Sequence, residues 1–528
     1  MSTEPSSFPP LQQQQPRQPD TTPVVDRDGD SDSDDDLRLF AAVQETIQLD
    51  KIPDFVSTVL RRLRQSDSDL DLQKSEVDQL VTIDSPLFGS YHILYPLRFS
   101  DGTRWLLKIP ANGTPGRFNE AAARSLSSEA LTMQLLRRET TIPIPDVFAF
   151  DASVENELGC PFILLSFVHG RPLYECWFDR TVSKDVVRAR RAQTLQDLAA
   201  AMVQLGRFSF DQGGSILFDE QGQPASIGSV RLDDHEAVLK RSQTDDPDES
   251  AIYMEMGPFD EPRDFYISVL ERRHEPSSDF ARGKLKLLRM FLEWIPEPQD
   301  GQKKFVLTHP DLGFQNLIVS DDGHLQGLID WDGVSAVPRS LGNEKYPSWL
   351  TRDWDPAMYR YETEMDEGVE PKGLWEDSPQ RLAFDRATYA RMMESCLCHE
   401  RTLRSGAENT SGTEQVSLNS TVSLTRRSLI TENLYIAAVS PISTAGIMEK
   451  VFDEIVRAIG KGSSTSILAD SEAEEPGAWG NDNEDEPELT EPDDFYLSDV
   501  AHALADGELD DRRLGYLKTG FAKLLEHV

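Results

Sequence analysis

The sequence predicts an α+β fold in which a small, strand-rich segment precedes a larger, mainly helical one. Three observations lead there. Residues 80–168 hold short apolar runs, separated by turn signals, around one helical stretch. From Asp179 onward the apolar residues recur mostly at helical spacing. Acidic stretches unsuited to a packed core flank both segments.

Taken in order, residues 1–36 are Pro/Gln-rich and then Asp/Ser-rich, which predicts a disordered tail. Asp26, Asp28 and Asp30 resemble the opening of a calcium loop, but the sixth position is not glycine and the twelfth is Leu37, so that reading fails. Residues 37–79 form an N-terminal helical extension, with Leu37 to Arg64 amphipathic enough for one or two helices. Within 80–168, the run from Phe99 to Pro110 reads as a strand, a D-G turn and a second strand carrying Lys108. The next stretch, Glu120 to Arg138, has helical periodicity through Leu126, Ala130 and Met133, with Glu129 in its middle.

The larger segment covers 169–461. Val186 to Leu205 reads as an amphipathic helix. Gly, Pro and acidic residues then break the pattern over 206–262, where Gln212 to Leu217, followed by Gly222 and Gly228, predicts one small inserted hairpin. Helices follow over Asp264 to Arg273 and Lys284 to Trp294. After Asp332, helices holding Trp349, Trp354 and Tyr359 are expected beside the cleft. A polar loop spans 401–423, and one helix runs from Leu429 to Ile459, stopped by Gly460-Lys461-Gly462. An acidic linker (462–494) and a C-terminal helical segment (495–528, with a helix from Arg513 to Leu525) end the chain.

The chemistry is concentrated in two neighbouring runs. His309, Asp311 and Asn316 form the pattern H-x-D-x-x-x-x-N, and Ile329-Asp330-Trp331-Asp332 follows soon after. A short apolar run, Lys303 to Thr308, leads into His309. Leu317 to Val319 and Leu325 to Ile329, joined by Asp321-Asp322-Gly323, predict a hairpin that sets Asn316 beside Asp330. A carboxylate at 311 is placed to accept a proton from a hydroxyl nucleophile. The oxygens of Asn316 and Asp330 suit magnesium on a nucleoside triphosphate. Upstream, Lys108 on a strand and Glu129 on the next helix fit a phosphate-holding lysine and its orienting carboxylate. Taken singly, each is ordinary for a strand-end lysine and a solvated helix residue; their order ahead of His309 gives them meaning. Gly89 and Ser90, in Pro86 to His92, are placed to offer backbone amides to phosphate, although a plain turn explains them as well.

These segments resemble the aminoglycoside phosphotransferase and choline kinase-like superfamily, above all its fungal phosphotransferase branch. The resemblance rests on SDGTRWLLKIP (100–110), the run 127–151, LGCPFILLSFVHGRPL (158–173), THPDLGFQNLIV (308–319) and LIDWDGVSAVPRSLGNEKYPSWLTRDWDP (328–356). It implies a bilobal, protein-kinase-like fold that uses ATP and Mg2+. It further implies Lys108 on the nucleotide phosphates with Glu129 as its partner, Asp311 as base, Asn316 and Asp330 as metal ligands, and His309 as a brace. Backbone groups of Ser166, Phe167 and Val168 would line the adenine site. Trp331 stands where protein kinases carry phenylalanine, and Asp332 is an additional acid near the metal.

Composition narrows the alternatives. The net charge is −39, of which the stretches 20–36 and 463–494 contribute −7 and −12, and the acidic remainder opposes nucleic-acid binding. No apolar run approaches the length of a membrane span. The N-terminus lacks an apolar h-region and an arginine-rich amphipathic stretch, so no signal or transit peptide is expected. Four cysteines in 528 residues point to a reducing compartment and, with the foregoing, to a cytoplasmic location. Cys396 and Cys398 have no second ligand pair at zinc spacing. The leading expectation is an ATP-dependent phosphotransferase acting on a small-molecule alcohol. A nucleotide-binding scaffold whose acidic tails recruit protein partners comes second. A protein kinase comes third, because no D-F-G or A-P-E motif is present.

Overall fold

The computed structural model describes residues 32–66, 80–234, 237, 240–241, 252–298, 302–405, 423–464 and 495–527. The expected tail (1–36) and acidic linker (462–494) lie largely outside them. Helix Asp32–Thr46 begins inside the first of these ranges, and helix Thr444–Ser464 reaches into the second.

The small lobe is an antiparallel sheet in the order Leu80–Ile83, His92–Phe99, Arg104–Pro110, Phe162–Ser166, Val147–Asp151, with Leu87–Phe88 also paired to His92–Phe99. Arg104–Pro110 is an inner strand, which fixes the register of Lys108 between Leu94 and Ile163. The two-residue period of a strand then decides where Lys108 points. Trp105, Leu107 and Ile109 bury themselves against Phe40, Ile52, Phe55 and Val56 of helices Asp32–Thr46 and Ile52–Ser66. The opposite face, carrying Leu106 and Lys108, meets helix Glu120–Glu139. Asn119 caps that helix by accepting the Ala122 amide at 2.9 Å, and Leu126, Ala130, Met133 and Leu136 pack into the main core.

The large lobe is mainly helical. Lys184–Leu205 pairs with Pro379–Ser405, and Asp279–Glu293 packs on Leu497–Asp506. A Cβ on Gly283 would lie 1.7 Å from the Ala501 carbonyl oxygen, so only glycine admits this close approach. The large lobe also holds two three-stranded sheets. Phe305–Thr308 lies between Ser335–Pro338 and Ser209–Phe210, and Leu317–Val319 lies between Leu325–Leu328 and Arg171–Pro172. The fold is therefore α+β and bilobal.

Several expectations are corrected. The single helix from Leu429 to Ile459 is two, Leu424–Val439 and Thr444–Ser464, because Pro441 cannot continue the first. The second passes the glycine stop at 460–462. Trp349 and Trp354 sit in single 3-10 turns, Ser348–Leu350 and Arg352–Trp354, among prolines that forbid longer helices, and both rings are buried core. Helix Pro379–Ser405 extends into the supposed polar loop, of which residues 406–422 lie outside the described residues. A helix at Leu497–Asp506 precedes the expected terminal one, which spans Asp511–His527. Residues 206–262 hold two hairpins: the expected one (Ser215–Phe218 with Pro224–Gly228) and a second, Val230–Asp233 with Tyr253–Met256.

Candidate active site

The buried strand Phe305–Thr308 delivers His309 into the interior, where the ring has no solvent exposure. Its Nδ1 accepts the Asp311 amide at 3.2 Å, so Nε2 carries the proton and donates to the Ile329 carbonyl at 3.0 Å. Burial holds the imidazole below its ordinary pKa, against the pull of Asp311, and keeps it neutral. The ring also stands edge-on to Trp331, at 4.6 Å between centroids, while Trp331 Nε1 donates to the Leu328 carbonyl. One imidazole thus ties the 309–311 turn to the 329–331 turn.

Asp311 is exposed. Gln315 Nε2 and Asn316 Nδ2 both donate to its Oδ2, at 2.6 and 2.9 Å, and Asn316 Nδ2 also donates to the Asp311 carbonyl. The Asn316 amide nitrogen is thereby committed, and its Oδ1 remains as the acceptor. The expected hairpin forms, with Leu317 opposite Leu328 and the Ile329 amide donating to the Asn316 carbonyl at 3.0 Å. Asn316 and Asp330 therefore leave the same end of the hairpin.

Asp330 is the one described non-glycine residue with a left-handed backbone, φ 61°. Such a conformation is strained and persists only where its surroundings enforce it. It accompanies a carboxylate turned across the cleft, with Oδ1 2.8 Å from Lys108 Nζ. Half of the Asp330 side chain (49%) stays open, so a ligand can still reach it.

Lys108 also donates to Glu129 at 2.7 Å, and both are nearly fully buried. Burial alone would discharge the ammonium, but Asp330 and then Glu129 raise its pKa and keep it cationic. Burial likewise opposes ionisation of Asp330, yet Lys108 outweighs it and holds that carboxyl far below the usual range. For Glu129, burial outweighs the pull of Lys108 and raises the carboxyl to about 7, while the 2.7 Å contact holds the two groups as a hydrogen-bonded pair.

The remaining expected groups are less simply disposed. The Gly89 amide is spent inside its turn, donating to the His92 carbonyl at 2.9 Å, and so does not face the cleft as expected; Ser90 is left of the two. In the interlobe strand, the Ser166 amide donates to Asp146 and the Phe167 amide to Arg104, at 2.9 and 3.1 Å. Among the described residues the Val168 amide has no hydrogen-bond partner. The Val168 side chain rests on Gly327, where a Cβ would come within 2.6 Å of it. Asp332 lies 3.8 Å from His92 Nε2, and burial, followed by Lys108, depresses His92 to about 4, so the ring is neutral.

Sequence reasoning missed Arg231 and Tyr253. Both belong to the second inserted hairpin and line the same cavity as Lys108, His92 and Asp332, an opening of about 650 Å³ that is partly solvent. The alternating V-R-L-D and Y-M-E-M runs were the available signal, obscured by the acidic stretch between them.

Residues 95–340 match the family profile described as the phosphotransferase enzyme family. The chain is 32% identical to a subtelomeric hrmA-associated cluster protein of Aspergillus fumigatus over 319 residues, covering 50% of this chain and 60% of that protein. It is 25% identical over 189 residues to altered inheritance of mitochondria protein 9, mitochondrial, of Candida tropicalis, covering 34% of this chain and 30% of that protein. The chain thus spans less than two thirds of the length of these curated relatives. Among solved structures it is similar to an aminoglycoside phosphotransferase of Alicyclobacillus acidocaldarius, at 10% identity and a TM-score of 0.30, over 87% of this chain and 100% of that one. The expected cytoplasmic location is overturned by the Candida relative, which is named as a mitochondrial protein. The matched span, a little under half of the chain, takes in both walls of the cleft, from Lys108 to Asp332.

Proposed function

We propose that this protein is an ATP-dependent phosphotransferase that moves the γ-phosphate to a hydroxyl of a small molecule. The observation that carries the reading is one buried ammonium, Lys108, bridging Glu129 and Asp330 at 2.7 and 2.8 Å, with Asn316 at the same hairpin end. Asn316 Oδ1 and the half-open Asp330 carboxylate are hard oxygen donors, which fits Mg2+ rather than a softer metal. Bound there, the ion would neutralise charge on the β- and γ-phosphate oxygens.

The chain's own groups supply the rest. Lys108 offers the phosphates a permanent cation in a site shielded from water, where charge counts for more. Val168 offers the adenine a backbone donor between the lobes. Asp311 keeps Oδ1 free of hydrogen bonds within the described residues, because Gln315 and Asn316 both engage Oδ2. That oxygen takes the proton as the hydroxyl oxygen bonds to the γ-phosphorus, and the bond to the β-phosphate oxygen breaks to release ADP. His309 holds the loop so that Asp311 and Asp330 stay in register.

The test is incubation of the purified chain with ATP, Mg2+ and a metabolite extract, followed by mass spectrometry. The expected result is an alcohol that gains the mass of one phosphate with wild-type protein and not with Asp311→Ala. Equal product with both proteins would overturn the assignment of the base.

A further inference from the structure

We propose that Arg231, carried in by the second inserted hairpin, is a further contact for the nucleotide's phosphates; this rests on the function proposed above. The hairpin is built to hold it there. Val230, Met254 and Met256 bury one face in the main core, and the strand period turns Arg231 and Tyr253 the other way. Glu255, opposite Arg231, is taken by Arg124 at 2.9 Å, which pins the hairpin to the helix that carries Glu129. Tyr253 meets Tyr91 edge-on at 6.2 Å, so the hairpin also touches the 89–92 turn.

The Arg231 guanidinium lies 3.4 Å from the centre of the Tyr253 ring, a shelf that fixes its plane without consuming its donors. Among the described residues no carboxylate lies within ion-pair distance of it. A half-buried guanidinium with a stacked face and no carboxylate is suited to receive an anion in its fork.

Which anion follows from the neighbours. The cavity that Arg231 lines also includes His92, Lys108, Glu129 and Asp332, but not Asp311, Asn316 or Asp330. An acceptor must sit at Asp311, whereas the phosphates must sit at Lys108. The anion that Arg231 can reach is therefore the nucleotide's own, and the inserted hairpin supplies a second cation beside Lys108.

The experiment measures Mg-ATP and adenosine binding to the full chain, by calorimetry, for wild type, Arg231→Ala and Arg231→Lys. Loss of one charge-assisted contact predicts that Arg231→Ala binds Mg-ATP roughly tenfold more weakly, with adenosine unchanged. Arg231→Lys, which keeps the charge but not the stacked fork, recovers part of the loss. Equal Mg-ATP affinity in wild type and Arg231→Ala would overturn the inference about Arg231 alone. Equal weakening of both ligands would reduce Arg231 to a structural role and overturn it too. A wild-type protein that binds no Mg-ATP would overturn both this inference and the function beneath it.

Discussion

The two walls of the cleft are made in opposite ways. The large-lobe wall comes from one stretch between His309 and Asp332, stitched by bonds among its own residues: Asp311 to His309, Asn316 to Asp311, Ile329 to Asn316. The small-lobe wall is assembled from distant pieces, an inner strand, a capped helix and an inserted hairpin, and is joined to the first through the Lys108–Asp330 contact. The difference separates chemistry from stability. Changes in the first wall should strike turnover and spare the fold, and changes in the second should strike both.

The largest effect that would break this division is at Asp311. Its carboxylate is exposed and, among the described residues, bonded only to Gln315 and Asn316, so Asp311→Ala should lower turnover by about 10²–10⁴-fold while leaving the melting temperature nearly unchanged. Steady-state kinetics beside calorimetric melting checks both halves. A large loss of stability would mean that the first wall is structural after all.

Across the cleft, Lys108→Ala strands the Glu129 carboxylate in a site where it is 2% exposed. Breaking a buried pair from one side costs about 3–5 kcal/mol, which denaturant titration can read. The double variant Lys108→Met with Glu129→Leu removes both charges and should recover much of that loss without recovering Mg-ATP binding. A single variant as stable as wild type would show that the pair is solvated and that the second wall is not a buried network.

A pH titration sharpens the same point. His92 titrates near 4 in the folded chain and at its ordinary 6.5 when unfolded, first because burial disfavours the imidazolium and second because Lys108 is near. The depressed value means its contribution is complete above about pH 6.5 and is lost as pH falls toward 4. Allowing for the ring's partial exposure, the loss is on the order of 2 kcal/mol, and His92→Phe should flatten the stability profile over that window. An unchanged profile in the variant would remove His92 from the account.

The smallest effect expected is at the interlobe strand. Ser166 Oγ accepts the Asp146 amide at 2.8 Å, and Ser166→Ala should cost about 1 kcal/mol with little change in turnover. Thermal melts resolve a difference of that size.

Legibility in the sequence followed the same divide. His309, Asp311, Asn316 and Asp330 could be placed side by side because a short hairpin with a D-D-G turn has few ways to close. Lys108 and Glu129 were readable because strand alternation and helical spacing each fix a face, although not how nearly those faces meet. What could not be read depended on contacts between distant segments. The hairpin with Arg231 and Tyr253 is interrupted by an acidic run, so neither strand shows its partner. The Gly89 amide looked available because its bond to His92 closes a turn whose geometry one glycine does not specify. Trp349 and Trp354 looked helical by spacing, but the prolines around them allow only single turns.

The most direct test of the gathered site is a thermal-shift titration of the full chain with Mg-ATP, comparing wild type, Asp330→Ala and Asp311→Ala. The account predicts a clear rise in melting temperature for wild type and Asp311→Ala, and little or none for Asp330→Ala, which loses an oxygen ligand and the Lys108 contact together. An equal rise in all three proteins, or none in wild type, would contradict it.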